Sequence, residues 1–142
     1  MHATRAPFYF SSFSLCNWPN PDSEQYLLSF ADGNIWLVNL NGTVAKKFPV
    51  PVNDSFNQSQ AVLFRTGKDK SMSLASLTSW HQWDRSLLCV HNSEGKLVYE
   101  EVIPETCQSI SSSTVGQTDA IFIGGKNKIW QYAIEQREVS AK

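Results

Sequence analysis

The feature that most constrains this chain is an internal repeat. Residues 26–40 align without a gap on residues 120–134, and the pair Ile35-Trp36 falls on Ile129-Trp130, 94 residues further along the chain. Each copy consists of an apolar run, a turn rich in Gly, Asp or Asn, and a second apolar run. This spacing is two periods of about 47 residues, close to the length of a four-stranded repeat. The sequence therefore predicts repeated β-hairpin units.

Turn residues predict where the strands end. Asp32-Gly33 and Asn41-Gly42 each separate two apolar runs, as in a type I′ hairpin turn, whose two central residues need positive φ. No window of a dozen residues has apolar residues at helical spacing with caps. We therefore expect an all-β, antiparallel fold. Its predicted strands cover residues 8–15, 26–30, 35–40, 44–50, 61–64, 72–80, 86–90, 96–103, 107–115, 120–123 and 128–134.

These strands group into three units. A middle hairpin over residues 87–102 is predicted to take the same part as the two ungapped copies, and a gapped match sets residues 41–44 on residues 94–97. We predict a lead at 1–7, a repeat domain at 8–134 and a polar tail at 135–142. The units within the domain are 8–52, 53–103 and 104–134.

The hairpins at residues 30–36, 91–99 and 123–130 resemble the blades of β-propeller repeat proteins of the WD-repeat, quinoprotein-like and FG-GAP type. The resemblance implies about three antiparallel blades that pack face to face. Propellers contain four to eight blades, so three would leave an incomplete ring. The remaining blades would come from a longer chain, or from a homo-oligomer in which two copies give six. A small β-sandwich or an open sheet is the structural alternative.

The resemblance also bears on metal binding. FG-GAP loops that bind Ca²⁺ carry several Asp residues, because Ca²⁺ takes six or more oxygen ligands. The corresponding loops here, residues 17–22 and 80–85, have one Asp each. His2, His81 and His91 do not lie at metal-ligand spacing from one another or from a cysteine. We therefore expect neither a metal nor a cofactor.

Charge and cysteine content exclude other classes. The net charge is −1, with 12 Lys and Arg scattered among 13 Asp and Glu, unlike the basic patch of a nucleic-acid-binding protein. Cys16, Cys89 and Cys107 form no CxxC motif, which favours reduced thiols and a cytoplasmic location. The sequence contains no run of eighteen apolar residues, so no membrane span is predicted. No nucleophile elbow or paired carboxylates occur, so no catalytic residue is predicted.

Six residues are candidates for contact with a ligand or a partner. In the segment Trp80-His81-Gln82-Trp83-Asp84, a histidine beside an acid and between two tryptophans could bind a sugar or a carboxylate. The alternative is a loop packed by its two aromatic rings, with polar groups facing water. Trp36 and Trp130, at equivalent positions of the repeat, either pack one blade on the next or form an exposed aromatic row. The six candidates are Trp36, Trp80, His81, Trp83, Asp84 and Trp130.

The predicted function is that of a non-catalytic protein-interaction or scaffold module. Its partner would be another protein or the remaining propeller blades. One alternative is a fragment of a larger propeller enzyme whose catalytic residues lie outside this chain. The other is a carbohydrate-binding β-domain that uses the loop from Trp80 to Trp83.

Overall fold

A computed structural model describes residues 9–52, 56–66, 71–115 and 118–133, and this part of the chain is all-β, without a helix. Eleven strands follow one another along it: β1 (Ser14–Asn17), β2 (Gln25–Ala31), β3 (Asn34–Val38), β4 (Val44–Pro49), β5 (Gln58–Arg65), β6 (Met72–Trp80), β7 (Arg85–His91), β8 (Leu97–Ile103), β9 (Ser109–Val115), β10 (Thr118–Gly124) and β11 (Ile129–Ala133). The predicted all-β class is confirmed.

The strands form three antiparallel sheets in which each strand pairs with its neighbours along the chain. The first sheet contains β1 to β4 and the second contains β5 to β8. The third contains β9, β10 and β11 among the described residues, and none of the three sheets closes on itself. Short connections between consecutive antiparallel strands explain this arrangement, because loops of two to seven residues return the chain directly alongside itself.

The two predicted type I′ turns differ in the structure. Asp32 and Gly33 have φ angles of 51° and 72°, so both central residues lie in the left-handed region and this prediction is confirmed. In the second turn only Gly42 has a positive φ, of 93°, and the Asn39 N–H donates to the Thr43 carbonyl at 2.8 Å. The type I′ prediction is wrong there, because a register shift next to Val38 adds residues to the connection between β3 and β4.

The prediction that the hairpin over residues 87–102 is equivalent to residues 26–40 and 120–134 is wrong. The turn of this hairpin joins β7 to β8, and its Asn92 N–H donates to the Lys96 carbonyl at 2.8 Å, as in the Gly42 turn between β3 and β4. Residues 26–40 and 120–134 instead hold the second and third strands of their sheets. The gapped match of residues 41–44 on 94–97 is therefore structurally equivalent, and the counterpart of residues 26–40 is the hairpin of β6 and β7.

The predicted first strand, residues 8–15, is displaced in the structure. The described residues 9–13 form no strand, although the Ser11 N–H donates to the Phe30 carbonyl at 2.8 Å. Strand β1 begins at Ser14 and ends before the prolines at 19 and 21, because proline cannot donate to a sheet ladder. The predicted lead and tail lie outside the described residues, as do most of the turns at 66–70 and 116–118.

The second sheet lies between the other two and contributes one face to each of two apolar clusters. Leu74 on β6 and Leu87 and Cys89 on β7 pack with the first sheet. The intervening residues of the same strands, including Ala75 and Leu88, pack with the third sheet. Successive side chains of a strand point to opposite faces, so this alternation stacks the three sheets in chain order.

The repeat shows that all three sheets face the same way in the stack. Ile35 lies in the cluster between the first and second sheets, so its neighbour Trp36 faces away from the second sheet. Trp130, the equivalent of Trp36, packs on the cluster between the second and third sheets and so faces back to the second sheet. Each sheet therefore has one face for the preceding sheet and the opposite face for the following one.

Polar contacts join the sheets as well. The buried carboxylate of Asp119 on β10 accepts hydrogen bonds from the Arg65 backbone N–H at 2.7 Å and from its guanidinium at 2.9 Å and 3.0 Å. Between the first and second sheets, the buried His91 places Nε2 3.1 Å from the Pro49 carbonyl, so this nitrogen carries the proton that it donates. Burial lowers the pKa of His91 and keeps the ring neutral.

Candidate functional site

The turn between β6 and β7 contains four of the six predicted contact residues. Trp80 is buried at the end of β6, whereas Trp83 is about half exposed, and their ring centroids lie 6.3 Å apart. His81 is exposed, and its backbone N–H donates to the Asn57 side-chain oxygen at 2.7 Å. The aromatic rings pack the turn from one side and leave its polar groups accessible.

Asp84 connects this turn to Thr106 and Lys126, which lie in two other segments of the chain. Its Oδ1 accepts hydrogen bonds from the Thr106 N–H at 2.8 Å and the Thr106 hydroxyl at 2.9 Å, and it lies 2.9 Å from the Lys126 Nζ. These contacts, the Lys126 ammonium first, lower the pKa of Asp84 to about 2. Asp84 has a φ of 49°, in the left-handed region, which Asp tolerates better than most residues.

A cleft of about 600 Å³ opens where this turn meets the third sheet. Its walls come from the β6–β7 turn, the connection from β8 to β9, and the β10–β11 turn. Glu105 in that connection accepts a hydrogen bond from the Lys126 N–H at 2.8 Å. The cleft is therefore polar and carries both signs of charge. Its lining residues are His81, Asp84, Thr106, Gln108, Gly125 and Lys126.

The two tryptophans of the repeat do not join this site. The Trp36 indole N–H donates to the Ala31 carbonyl at 2.8 Å, and its ring meets the edge of Phe10 at 5.0 Å on the outer face of the first sheet. Trp130 is partly buried against the second sheet, and its Nε1 has no hydrogen-bond partner among the described residues. The structure therefore gathers Trp80, His81, Trp83 and Asp84, and places the remaining pair at separate positions in the stack.

Sequence reasoning missed the residues that complete the cleft. Thr106 and Gln108 lie in the connection between the second and third sheets, and Gly125 and Lys126 lie in the β10–β11 turn. They come from segments some 20 to 45 residues away from Asp84 along the chain. The sequence predicts a hairpin turn at Gly124-Gly125. Nothing in that segment indicates which turn of another sheet it approaches.

The described residues show little reactive chemistry. Burial raises the pKa of the Cys16 thiol to about 11 and that of Cys89 to about 12, so both thiols stay protonated at neutral pH. Within residues 9–52, 56–66, 71–115 and 118–133, no group of three or more His, Cys, Asp and Glu side chains could hold a metal ion. In the same ranges no helix has the length and apolar character that crossing a membrane requires.

Comparison of the chain with protein-family models, with curated proteins and with solved structures found no match. The functional argument therefore depends on the geometry of this chain.

Proposed function

We propose that this chain is a non-catalytic protein-interaction module built from propeller-type blades. The observation that carries the proposal is the apolar surface on one face of the first sheet, where Leu15 and Val44 are exposed. This surface, the first-sheet flank, is the face turned away from the second sheet. Its apolar members are Leu15, Leu27, Trp36, Val38 and Val44, which share that face through the pairing of β1 to β4. Lys47 shares the face as well, with its Nζ 4.9 Å from the centroid of the Trp36 ring.

The exposure of this flank supports binding to a protein. Leu15 on the edge strand β1 is 61% exposed, and Val44 on the opposite edge strand β4 is exposed as well. Phe10 and Phe13 stack on each other at 5.5 Å next to the flank, and both remain partly exposed. Contiguous apolar surface that includes aromatic rings is typical of protein interfaces, because water is released when a partner covers it.

The arrangement of the sheets supports the propeller-type part of the proposal. Among the described residues, two sheets of four strands and one of three follow one another along the chain. Each is a simple meander, and each packs face to face on the next. Radial stacking of such four-stranded units is the architecture of β-propellers. A blade has apolar surface on both faces, so the first and last blades of an incomplete series each need a neighbour.

Site-specific photo-crosslinking tests the proposal. A photoreactive phenylalanine analogue at Leu15 is expected to crosslink a protein in cells, whereas the same analogue at Val102 is not. Val102 is a matched control, because it is 64% exposed on β8, away from the flank. The crosslinked protein would be identified by mass spectrometry, and its binding to the purified chain should be lost on Leu15→Lys. Absence of any protein crosslink at Leu15 would contradict the proposal.

A second candidate function, carbohydrate binding, is favoured by the half-exposed ring of Trp83 beside the polar cleft. Sugars stack on exposed aromatic rings, donate hydrogen bonds to carboxylates such as that of Asp84 and accept them from amides such as that of Gln108. A glycan array tests it: binding that disappears on Trp83→Ala supports the candidate, and an array without bound glycans rejects it. The alternative of a larger propeller enzyme stays a prediction from the sequence.

A further inference from the structure

We infer that the partner contributes an extended, uncharged peptide segment of another protein, which adds as a strand along the free edge of β1. This inference rests on the proposed function, because it names the form in which the partner protein is bound. It follows from a groove beside β1, from the direction of the backbone groups in that strand and from the composition of the groove walls.

A groove of about 430 Å³ runs along the edge of β1 that has no neighbouring strand. All four residues of β1, Ser14–Asn17, line this groove, which we call the β1 groove. Successive side chains point to opposite faces of a sheet, so a cavity that meets all four residues lies along the edge of the strand and not on one face. Its other walls come mainly from β5, from the start of β6 and from Ser112 on β9.

The hydrogen bonds between β1 and β2 determine which backbone groups of β1 point into the groove. The Trp18 N–H donates to the Glu24 carbonyl at 3.3 Å, so these two residues form a hydrogen-bonded pair. Hydrogen-bonded and non-hydrogen-bonded pairs alternate along antiparallel strands. Counted back through the register, Cys16 therefore bonds to β2, whereas Leu15 and Asn17 direct their N–H and C=O groups to the free edge.

The corresponding edge of β5 is covered by side chains of the third sheet. The outward Leu63 carbonyl accepts a hydrogen bond from the Ser112 hydroxyl at 2.7 Å. The outward Arg65 N–H donates to the Asp119 carboxylate at 2.7 Å. In the part of the chain that the structure describes, no side chain or strand reaches the outward groups of β1 in this way. The edge of β1 therefore offers backbone donors and acceptors to a strand from another molecule.

The walls of the β1 groove favour an uncharged apolar segment. None of the described residues that line it carries a charge, and the apolar side chains among them include Leu28, Val62, Leu63 and Met72. A charged side chain would lose hydration there without gaining an ion pair, which costs free energy. Leu15 lies at the open side of the groove and is 61% exposed, so a partner has access to it.

The size of the β1 groove fits a short stretch of extended chain. A residue in a packed strand occupies roughly 160 Å³, from a rise of about 3.3 Å, a strand spacing of about 4.8 Å and a sheet spacing of about 10 Å. The groove volume of about 430 Å³ therefore holds about three residues, and β1 is long enough to pair with them. Main-chain hydrogen bonds supply the affinity of such an added strand, and pockets for alternate side chains supply its selectivity.

The opposite edge of the first sheet has a composition that discourages strand addition. Lys46 and Lys47 lie in the middle of β4, and Pro49 lies at its end. Lysine and proline on an exposed edge hinder pairing with another strand, and β1 contains neither. The outer strands of the two four-stranded sheets, β4 and β8, carry lysines and glutamates, so neither matches the uncharged segment that the groove favours. These strands of a second copy are therefore poor occupants, which favours a different protein.

Selection of short random peptides, displayed on phage, against the purified chain tests the inference. Enriched peptides should be uncharged over the bound stretch and should carry apolar side chains at alternate positions. An enriched peptide is then synthesised with a fluorescent label, and its dissociation constant is measured by anisotropy. A selection that enriches no peptide would overturn the inference.

N-methylation of the synthetic peptide tests strand addition without altering the protein. In an added strand every second N–H bonds to β1, and the others point away from it. Methylation of one alternate set of amides should weaken binding roughly tenfold, because it removes hydrogen bonds to β1, whereas methylation of the other set should leave binding nearly unchanged. Equal effects of the two sets would show that binding does not depend on backbone direction, and the inference would be wrong.

Two substitutions at Leu15 separate the backbone contribution from that of the side chain. Leu15→Ala shortens the apolar side chain and keeps the outward N–H, whereas Leu15→Pro removes the N–H as well. Proline is tolerated on an edge strand where its nitrogen faces away from the sheet, so circular dichroism should show a folded variant. Leu15→Pro should bind the peptide roughly tenfold more weakly than Leu15→Ala. Equal binding by the two variants would count against backbone pairing at β1 and overturn the inference.

Val102→Pro is the matched control for proline on an edge strand. The same alternation, counted from Leu63 through β6 and β7, turns the Val102 N–H outward on β8. The Val102→Pro variant therefore loses an outward N–H outside the β1 groove, and it should bind the peptide as the wild-type chain does. Equal weakening by Val102→Pro and Leu15→Pro would place the peptide elsewhere and overturn the inference.

The remaining outcomes separate this inference from the proposed function. If no peptide is enriched but a protein still crosslinks at Leu15 in cells, the interaction module stands and binding through an added strand is wrong. If peptides bind as expected but nothing crosslinks at Leu15, the β1 groove stands and the proposed function fails. A dimer in sedimentation velocity that Leu15→Pro dissociates would make a second copy the occupant and overturn the assignment to another protein.

Discussion

Leu88→Ala is the substitution that most directly tests how the second and third sheets pack. Leu88 lies in β7, a strand with neighbours on both sides, and only 1% of its surface is exposed. Its side chain belongs to the cluster that includes Ile121 and Ile123 of β10. Truncation at this position removes three carbons from the contact between the two sheets, and the backbone of a central strand has little freedom to move into the space.

The magnitude follows from burial. Each buried methylene or methyl group contributes about 0.8 kcal/mol, so the three carbons account for roughly 2.4 kcal/mol. The cavity left behind adds to this, and fully buried Leu→Ala substitutions cost about 2–5 kcal/mol. We expect a loss of roughly 3–4 kcal/mol in the free energy of unfolding. For a chain of 142 residues, this corresponds to a fall of about 10 °C in the melting temperature.

Urea unfolding followed by tryptophan fluorescence measures the loss, with Leu97→Ala as the control. Leu97 carries the same side chain at the start of β8, but it is 40% exposed, so its truncation should cost less than about 1 kcal/mol. Both variants are compared at one protein concentration. Equal losses in the two variants, or a loss below about 1 kcal/mol for Leu88→Ala, would refute the packing of the third sheet on the second.

Three further predictions test local features. Gly95→Ala should destabilise the fold more than Gly42→Ala in the same urea assay: both have positive φ, but a Cβ at Gly95 would lie 2.5 Å from a ring carbon of Phe48, whereas a Cβ at Gly42 has nothing within 4 Å. The pKa of Asp84 is lowered to about 2, so its carboxylate stabilises the fold above about pH 4 and this contribution is lost as the pH falls towards 2; acid unfolding of Asp84→Asn should be flatter over that interval. The buried Cys89 thiol, with its pKa raised to about 12, should react with a thiol reagent at pH 8 only after urea unfolds the chain, and rapid reaction of the native chain would contradict its burial.

Local chemistry in the sequence determined the strands and several of the turns. Strand β6 occupies residues 72–80, as its alternating pattern predicts. The Asp32-Gly33 turn has the two positive φ angles that its residue types favour. The ungapped repeat also identified equivalent faces, because side chains alternate along a strand and Trp36 and Trp130 therefore point the same way in their sheets.

Only the tertiary structure decided how these pieces combine. Consecutive hairpins of a meander have the same apolar pattern, so the sequence did not distinguish the β7–β8 hairpin from the β6–β7 hairpin that matches residues 26–40. The clamp between Asp84, Thr106 and Lys126 joins residues from two sheets, and no local preference encodes such a contact. Nor did alternation alone reveal that Leu15 and Val44 on the first-sheet flank are exposed, because an apolar face has the same pattern whether another sheet covers it or water does.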